Sequence, residues 1–423
     1  MKLSTAPKFG LAADSEEKQC WIIACATTSW LKQILKLIVL VACMTAVVFQ
    51  LSECILKLHY PPVSTRTELK INTTVNYPAL TICRNPAYKD AVLKKYNLGP
   101  SIRYTSEWAK FPYDKISLSE FWKEATYTLA ESINQYGMAG SINHTHLEET
   151  MNFLSGRCFT IKPEIATRQI GSDAGYSVLL RHTRPTSPAW NLYVHQVTDD
   201  MIENSMQSSA VQELIILPVG EMAHVKMTVH QLERVNHPKS PCNPDRKYSS
   251  ANCEERCRWR KIEAKSACSV PWMPGSDLPE CNNYTSLLPV IVEYLKFNTS
   301  NECSAQCPKP CYITQFNTFI VNRARDATLP SGHSQIYLFH TSKMFTWVRE
   351  HWDYDLSRFV ADAGGSLGFL LGVSVLSLLS MLGKALQIFT CCARTKGADA
   401  ASNNTSRSSS LNSFPNIIKK EKF

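Results

Sequence analysis

Residues 361–377 read ADAGGSLGFLLGVSVLS, and this stretch decides the class of protein. It overlaps an apolar run, 363–382, that carries no charged residue. A helix needs about 20 residues to cross the hydrocarbon core of a bilayer, and this run is that long. A buried core helix is the competing interpretation, but core helices are rarely apolar over so many consecutive residues. We therefore predict a membrane-spanning helix within residues 359–390.

Two faces of this helix differ in character. Gly364, Gly368 and Gly372 recur every four residues and share one face, where small side chains let helix backbones approach closely in a membrane. At about 100° per residue, the polar residues share a stripe roughly 60° wide on the broadly opposite face. They are Asp362, Ser366, Ser377, Ser380 and Lys384. A polar stripe of this kind suits the wall of an aqueous path.

Serines can instead bond back to their own helix and face anything, but Asp362 at the outer end favours a pore. The predicted pore-lining residues are Asp362, Ser366, Gly368, Ser377 and Ser380. Near mid-membrane, Gly372, Val373 and Ser374 would let the helix open and present backbone carbonyls to a cation. Irregular backbone at that depth is tolerated only where it lines a water-filled path or is buried in protein. We predict an ion-selecting constriction at these three residues.

A second apolar stretch, 37–56, contains a single charge, Glu53, and predicts another span within residues 34–56. It is too long and too far from the first residue for a cleaved signal peptide. Both termini should then lie on one side, and flanking basic residues place them in the cytosol of a multi-pass plasma-membrane protein. These residues are Lys32, Lys36, Lys384, Arg394 and Lys396. Topology therefore accounts for the net charge of +9, and we expect no nucleic-acid partner.

Ten of the sixteen cysteines lie between the spans and clear of them. They are Cys83, Cys158, Cys242, Cys253, Cys257, Cys268, Cys281, Cys303, Cys307 and Cys311. An even number in an oxidising compartment predicts five disulfides. A zinc site is the alternative, but the spacings lack paired C-x2-C knuckles. We predict no metal site and no cofactor.

The spans divide the chain into a short polar cytosolic arm, 1–33, an ectodomain, 57–358, and a Ser- and Asn-rich tail, 391–423, that we expect to be disordered. The ectodomain includes a cysteine-rich region, 242–311, and glycosylation sequons at Asn72, Asn143, Asn283 and Asn298. The basic end of the tail would contact lipid headgroups or remain solvated. Cys391 and Cys392, just inside the membrane, would be palmitoylated or unmodified.

Local patterns predict a mixed α/β ectodomain with a β-sheet core. Strand-like residues occur at 69–82, 211–225 and 311–321, with 337–340 as a candidate partner for the last of these. Residues 116–136 predict a helix that begins near Ser117 or Ser119, and 253–265 predict a surface helix. The fold class is therefore an α+β membrane protein with two transmembrane helices around a disulfide-rich ectodomain.

The run DAGGSLGFLLGVSVLS resembles the second span of the degenerin/epithelial sodium channel family, which includes acid-sensing members. Three other segments resemble that family: NYPALTICRNP around Cys83, GRCFT around Cys158, and the cysteine-rich run 242–311. The resemblance implies a homo- or heterotrimer that conducts sodium ions and is blocked by amiloride-like cations. It makes 372–374 the selectivity filter and Ala361 the position where bulky side chains hold the channel open.

The resemblance also implies the disulfide pairs. They are Cys242–Cys311, Cys253–Cys307, Cys257–Cys303, Cys268–Cys281 and Cys83–Cys158. The chain departs from the family in three places. A His-Gly motif before the first span is not visible, the acidic residues usual below the filter are absent, and Lys384 lies on the polar stripe instead. We therefore expect this subunit to conduct poorly alone and to work with partner subunits.

Alternatives from other classes fit less well. An ATP-gated trimeric channel has a similar topology, but this chain has no lysine cluster placed to hold a triphosphate. A double-spanning cell-surface receptor leaves the polar stripe and the glycine face of the second span unexplained. An auxiliary non-conducting subunit is the other alternative function. Ectodomain groups such as His224, His230 and Glu233 are scattered without a nucleophile, so we expect no enzyme.

Overall fold

The computed structural model describes residues 13–182, 189–203, 211–238, 240–297, 302–325 and 329–372, together with Ser380 and Gly383. The chain forms two compact units. One unit comprises both ends of the chain, Met1–Pro62 and Asp353–Phe423, and contains the apolar helices. The other is the intervening ectodomain, Val63–Trp352.

The helical unit contains α1, Ala13–His59, and α7, Leu356–Leu371. Helix α1 begins inside the predicted cytosolic arm. Its segment Gln33–His59 has a mean hydropathy of 2.4 over its most apolar stretch, of which 6% is buried, and within the described residues it is the one helix long and apolar enough to cross a membrane. Helix α7 is 16 residues long. The remainder of the predicted second span lies almost wholly outside the described residues, so that span stays a prediction.

The ectodomain is built on two large β-sheets. Their strands are β1 (Val63–Ile71), β2 (Ala79–Asn85), β3 (Ile133–Met138), β4 (Thr145–Asn152), β5 (Gly156–Pro163), β6 (Tyr176–Arg181), β7 (Ala189–His195), β8 (Gln212–Pro218), β9 (Glu221–Glu233), β12 (Tyr312–Arg325), β13 (His333–His340) and β14 (Met344–Trp352). Strands β10 (Cys242–Asn243) and β11 (Lys309–Pro310) form a short parallel pair. One sheet has the order β4-β5-β2-β7-β8 and is antiparallel throughout.

The larger sheet forks at β9. One edge of β9 pairs with β12 along nearly its whole length. The other edge pairs first with β13, at Met222–Met227, and then with β14, at His230–Glu233. The β13 branch continues to β6 and β3, while the β14 branch ends at β1. The first and last strands of the ectodomain are therefore neighbours, with Val63 opposite Trp352.

Two hydrophobic cores stabilise the ectodomain. One lies between the sheets and includes Leu80, Ile82, Trp190 and Ile336. The other is aromatic and packs the small helices together. Those helices are α2 (Asp90–Lys95), α3 (Leu118–Ala125), α5 (Ser250–Glu263) and α6 (Tyr284–Phe297), with a 3-10 turn at Thr105–Lys110. The single turn α4 (Leu129–Ser132) instead packs Leu129 against the first core. Trp122 is fully buried at the centre of the aromatic core, with its ring 5.5 Å from that of Trp108 and 4.5 Å from that of Trp272.

Five disulfides connect these elements, and they have the same pairing that the family resemblance implies. They are Cys83–Cys158, Cys242–Cys311, Cys253–Cys307, Cys257–Cys303 and Cys268–Cys281. Two of them join α5 to the segment 303–307 that follows α6. These two bonds fasten the N-terminal part of α5 to the chain that follows α6.

The helix predicted over 116–136 was wrong in its second half. Ser117 caps α3 with a capping box that includes Glu120, as its position suggested, but α3 ends at Ala125. Thr128 caps the single turn α4, and Ile133 then begins β3. No glycine or proline marks this change in the sequence. Pairing of β3 with β6 overrides the local helical preference.

The strand predicted at 311–321 is part of β12, but its proposed partner was wrong. Residues 337–340 belong to β13, which pairs with β6 and β9. The partner of β12 is β9. Strand β9 is long enough to pair with β12 on one edge and with both β13 and β14 on the other. Strands β12 and β13 are therefore consecutive in the sequence but are not paired with each other. The predicted surface helix at 253–265 corresponds to α5, which begins three residues earlier and ends at Glu263, and which also buries Cys257, Trp259 and Ile262.

Candidate functional site: the predicted pore helix and its outer end

Helix α7 stops at the first residue of the predicted filter. Gly372 is its C-cap, with a left-handed φ of 66°, and donates its backbone N–H to Gly368 O at 3.0 Å. Glycine adopts this conformation without a steric penalty, whereas other residues pay for it. The other filter residues, Val373 and Ser374, and the pore-lining candidate Ser377 lie outside the described residues. Ser380 is exposed.

The two predicted faces of α7 can be examined at its outer half. The Ser366 hydroxyl donates to Asp362 O at 2.8 Å, so this serine does bond back to its own helix. Half-buried positions recur at Ala363, Leu367 and Leu370, along the stripe that packs toward α1. A β-carbon added at Gly364 would meet no atom outside its own helix backbone within 4 Å. The glycine face is therefore open at Gly364 in the single chain, whereas Gly368 is half-buried.

At the outer end of α7, Asp362 accepts a hydrogen bond that the sequence did not suggest. The Tyr354 hydroxyl donates to Asp362 Oδ2 at 3.0 Å. Tyr354 precedes Asp355, the N-cap residue whose carboxylate accepts the Arg358 backbone N–H at 2.8 Å. Asp362 and Ala361 are otherwise exposed. An eight-residue separation, about two helical turns, was the one signal in the sequence for this contact.

Titratable groups in the ectodomain are mostly structural. The buried Glu203 carboxylate accepts the Leu154 backbone N–H at 2.9 Å and the Tyr294 hydroxyl at 2.8 Å. Burial, with the nearby Glu203 charge, raises the pKa of Tyr294 well above its ordinary value. Glu203 therefore ties the turn after β4 to α6. Sequence reasoning missed this residue because nothing local distinguishes a buried glutamate from an exposed one.

Two buried histidines, His182 and His195, form hydrogen bonds with neighbouring strands. Burial, followed by the charge of Arg84, lowers the pKa of His182 to about 4. Its Nε2 atom accepts the Trp190 indole N–H at 3.1 Å. Burial likewise lowers the pKa of His195, whose Nε2 lies 2.8 Å from Thr81 Oγ1. Both rings are held neutral at physiological pH.

The histidines named from the sequence do not converge on a site. His224 stacks on Tyr337 with ring centroids 4.8 Å apart, and His230 lies farther along β9. Within the described residues, no group of three or more His, Cys, Asp or Glu side chains is placed to hold a metal ion. The sequons at Asn72, Asn143 and Asn283 are exposed, and Asn298 lies outside the described residues.

Two adjoining cavities, each of about 360 Å³, lie against strands β9 and β12 of the larger ectodomain sheet. They share the lining residues Asn72, Gln231, Thr314 and Phe345. The turn between β13 and β14 lines the first, and Lys70 and Arg246 line the second. Cavities of this volume are within the range that small ligands occupy.

Comparison with known proteins adds an independent finding. The family model described as amiloride-sensitive sodium channel matches residues 20–382. The chain is 20% identical over 394 residues to acid-sensing ion channel 1B of Danio rerio, covering 80% of this chain and 69% of that protein. It is 24% identical to the bile acid-sensitive ion channel of Rattus norvegicus, over 39% of each chain, and 24% identical to degenerin del-1 of Caenorhabditis elegans, over 39% of this chain and 30% of that protein. The matches to the last two relatives thus span well under half of their length.

Proposed function

This chain belongs to the amiloride-sensitive sodium channel family, and we propose on that premise that it is one subunit of a trimeric, sodium-selective channel. The channel is gated through the ectodomain and blocked by amiloride-like cations. It lies in the plasma membrane with both termini in the cytosol, and its partners are sodium ions, membrane lipid and related subunits.

One observation carries the pore assignment. Helix α7 ends where the sequence predicts the filter, at a left-handed Gly372. A helix that crosses a bilayer satisfies its own backbone groups, so an interruption at that depth is tolerated where it lines a water-filled path or is buried in protein. Carbonyls released by such an interruption can replace part of the hydration shell of a cation. These facts support a filter at 372–374.

Assembly follows from the open face of α7. Small residues at Gly364 and Gly368 let another helix approach closely, and in the single chain the β-carbon position at Gly364 is free of contacts from other elements. A neighbouring subunit of the proposed trimer is the partner that this face fits. The ligand-sized cavities beside the β13–β14 turn support gating through the ectodomain.

An auxiliary, non-conducting role is the second candidate. Ser380 and Gly383 stand near the positions where the resemblance implies acidic residues, and Lys384 lies on the predicted polar stripe. Three lysines in a homotrimer would raise an electrostatic barrier to cations unless they reach the headgroups. Partner subunits that lack this lysine would lower the barrier.

Whole-cell current tests the proposal directly. We expect Ala361→Phe to produce a sodium current that amiloride removes, because a bulky side chain at this position should hold the pore open. Val360→Phe is a matched control, since it adds the same ring to the neighbouring exposed position on a different face. Equal current from both variants would contradict the assignment of Ala361.

Silence from both variants, with the protein detected at the surface, would instead favour the auxiliary role. Co-expression with related channel subunits would then decide between an obligate partner and a non-conducting receptor. In a co-expressed channel, a change in amiloride block on adding this chain supports a subunit that shares the pore.

A further inference from the structure

We propose that Tyr354 is a positioning residue for the pore-mouth carboxylate of Asp362, and that Cys54 on α1 completes a three-residue clasp across the outer ends of the two helices. This inference rests on the proposed channel function for its consequence, but not for its geometry. Tyr354, Cys54 and Asp362 all belong to the helical unit.

Burial singles out Cys54 on α1 and Tyr354 just before α7. Most of the predicted span of α1 is exposed in the single chain, but Cys54 is only 6% exposed and Val47 only 4%. These positions are seven residues apart and so share one face of the helix. Tyr354, at 8% exposed, is buried just before α7 begins. A polar side chain buried at this level needs a hydrogen-bond partner, and the Tyr354 hydroxyl has one in Asp362.

The contacts of Tyr354 fix which group donates. Burial, followed by the neighbouring Cys54 thiol and the Asp362 carboxylate, raises the pKa of Tyr354 well above its ordinary value. The phenol therefore stays protonated at physiological pH and donates to Asp362, while the thiol lies beside its oxygen. Tyr354 therefore has one neighbour on each helix, the Cys54 thiol of α1 and the Asp362 carboxylate of α7.

The nearby charged groups are engaged elsewhere. Arg358, one turn before Asp362, directs its guanidinium to the Asp353 side chain and backbone carbonyl. Asp355 caps the helix. Asp362 therefore receives a neutral donor rather than a cation. A tyrosine fixes the direction of the carboxylate without cancelling its charge, which an arginine or lysine would do. The charge remains available to attract cations at the pore mouth.

A labelling experiment tests the clasp without requiring any current. Full-length protein in detergent is treated with N-ethylmaleimide, and the modification rate of Cys54 is read by peptide-resolved mass spectrometry. We expect Tyr354→Ala to increase the rate at Cys54 about tenfold, because it removes a buried side chain beside this buried thiol, which must be accessible to react. Tyr60→Ala is the control, since it removes the same kind of ring near Cys54 from a position that is 52% exposed.

Unchanged labelling of Cys54 in Tyr354→Ala, or an equal increase in Tyr60→Ala, would overturn the clasp. The rate at Cys43, which is half-buried elsewhere on α1, reports general loosening of the helix. An increase at Cys43 as large as that at Cys54 would show that the substitution had disrupted packing broadly. In that event the proposal is decided by the Ca²⁺ block of Tyr354→Phe, a variant that keeps the ring.

Block of current by external Ca²⁺ tests the positioning role. In a conducting background, we expect Asp362→Asn to weaken block about tenfold and Tyr354→Phe about threefold. The double variant should match Asp362→Asn alone, because the hydroxyl acts only through that carboxylate. Additive effects of the two changes would overturn the proposal. Cys54→Ser should preserve block better than Cys54→Ala, since serine keeps a polar neighbour for the phenol.

Discussion

Different interactions stabilise the ectodomain and the helical unit. The ectodomain buries two hydrophobic cores, pairs its long strands on both sides of β9 and closes five disulfides. In the helical unit, by contrast, only 6% of the most apolar stretch of α1 is buried. Water drives the burial of apolar surface in the first case, whereas lipid tails are as apolar as the side chains in the second. Stability of the ectodomain is therefore internal, while that of the helices depends on lipid and, in the proposed trimer, on neighbouring subunits.

The largest expected effect that sharpens this contrast comes from one side chain in the aromatic core. Trp122→Ala should destabilise the ectodomain by about 3–5 kcal/mol, since it removes a fully buried ring and leaves a cavity. Chemical denaturation of the full-length protein, followed by tryptophan fluorescence, measures the change. Trp30→Ala removes the same ring from a 65% exposed position on α1 and should leave that transition within about 0.5 kcal/mol of the wild type. Comparable losses from both changes would break the contrast.

Removal of one rung of the cysteine-rich region should have a somewhat smaller effect. Replacing Cys253 and Cys307 together by alanine opens a loop of 54 residues and should reduce stability by about 2–4 kcal/mol. The same denaturation assay reports it. Among the cysteines that the structure describes, Cys43 and Cys54 on α1 are free, and Cys43→Ala serves as a control without a disulfide. A transition midpoint equal to that of the wild type would show that α5 and α6 pack without this bond.

Acidification should weaken the ectodomain through His182. Its folded pKa of about 4 lies below the ordinary value of 6.5, so the unfolded chain binds a proton more readily. Stability from the neutral ring is complete above pH 6.5 and is lost as the pH falls toward 4. His182→Gln should flatten this part of the pH profile, measured as the denaturation midpoint between pH 7 and pH 4. His146→Gln, at a position whose side chain is 61% exposed, should leave the slope unchanged.

The smallest effect on the ectodomain, but a large one on assembly, is expected at the open glycine face. Gly364→Ile should leave the denaturation midpoint of the ectodomain unchanged, because no other element of the single chain lies within 4 Å of the β-carbon position at Gly364. If neighbouring subunits pack there, the added side chain prevents close approach and the trimer dissociates. Size-exclusion chromatography with light scattering in detergent measures the mass. An intact trimer would place the subunit contact on another face. Phe369→Trp, at a 90% exposed position about 140° around the helix from Gly364, controls for added bulk.

Much of the ectodomain plan could be anticipated from the sequence, and the exceptions share a cause. Ser117 and Glu120 announce the start of α3 through local chemistry, so that boundary was predictable. The change from helix to strand at Ile133 was not, because it depends on β6, which lies more than 40 residues later. The pairing of β12 with β9 was missed for the same reason. Long-range strand partners are set by the whole core and leave little local trace.

The candidate site divides in the same way. Asp362 and the glycines were identifiable because residue type and helical spacing alone define a polar end and a small face. Tyr354 and Cys54 were not, because their burial depends on α1 and α7 lying side by side. A buried cysteine on an apolar helix resembles any other small apolar residue until its neighbours are known. Glu203 illustrates the same limit in the ectodomain.

The pairing of β1 with β14 determines how the ectodomain responds to its two chain connections. Val63 and Trp352 lie opposite each other at the same end of the pair, and just beyond them Asp353 donates its backbone N–H to Pro62 O at 2.8 Å. A force that pulls Pro62 and Asp353 apart, perpendicular to the strands, would break the paired residues of β1 and β14 one pair at a time, beginning with Val63 and Trp352. A displacement of both connections in the same direction along the strands would move β1 and β14 together and would stretch no hydrogen bond between them. The two kinds of motion therefore meet very different mechanical resistance from the same nine paired positions.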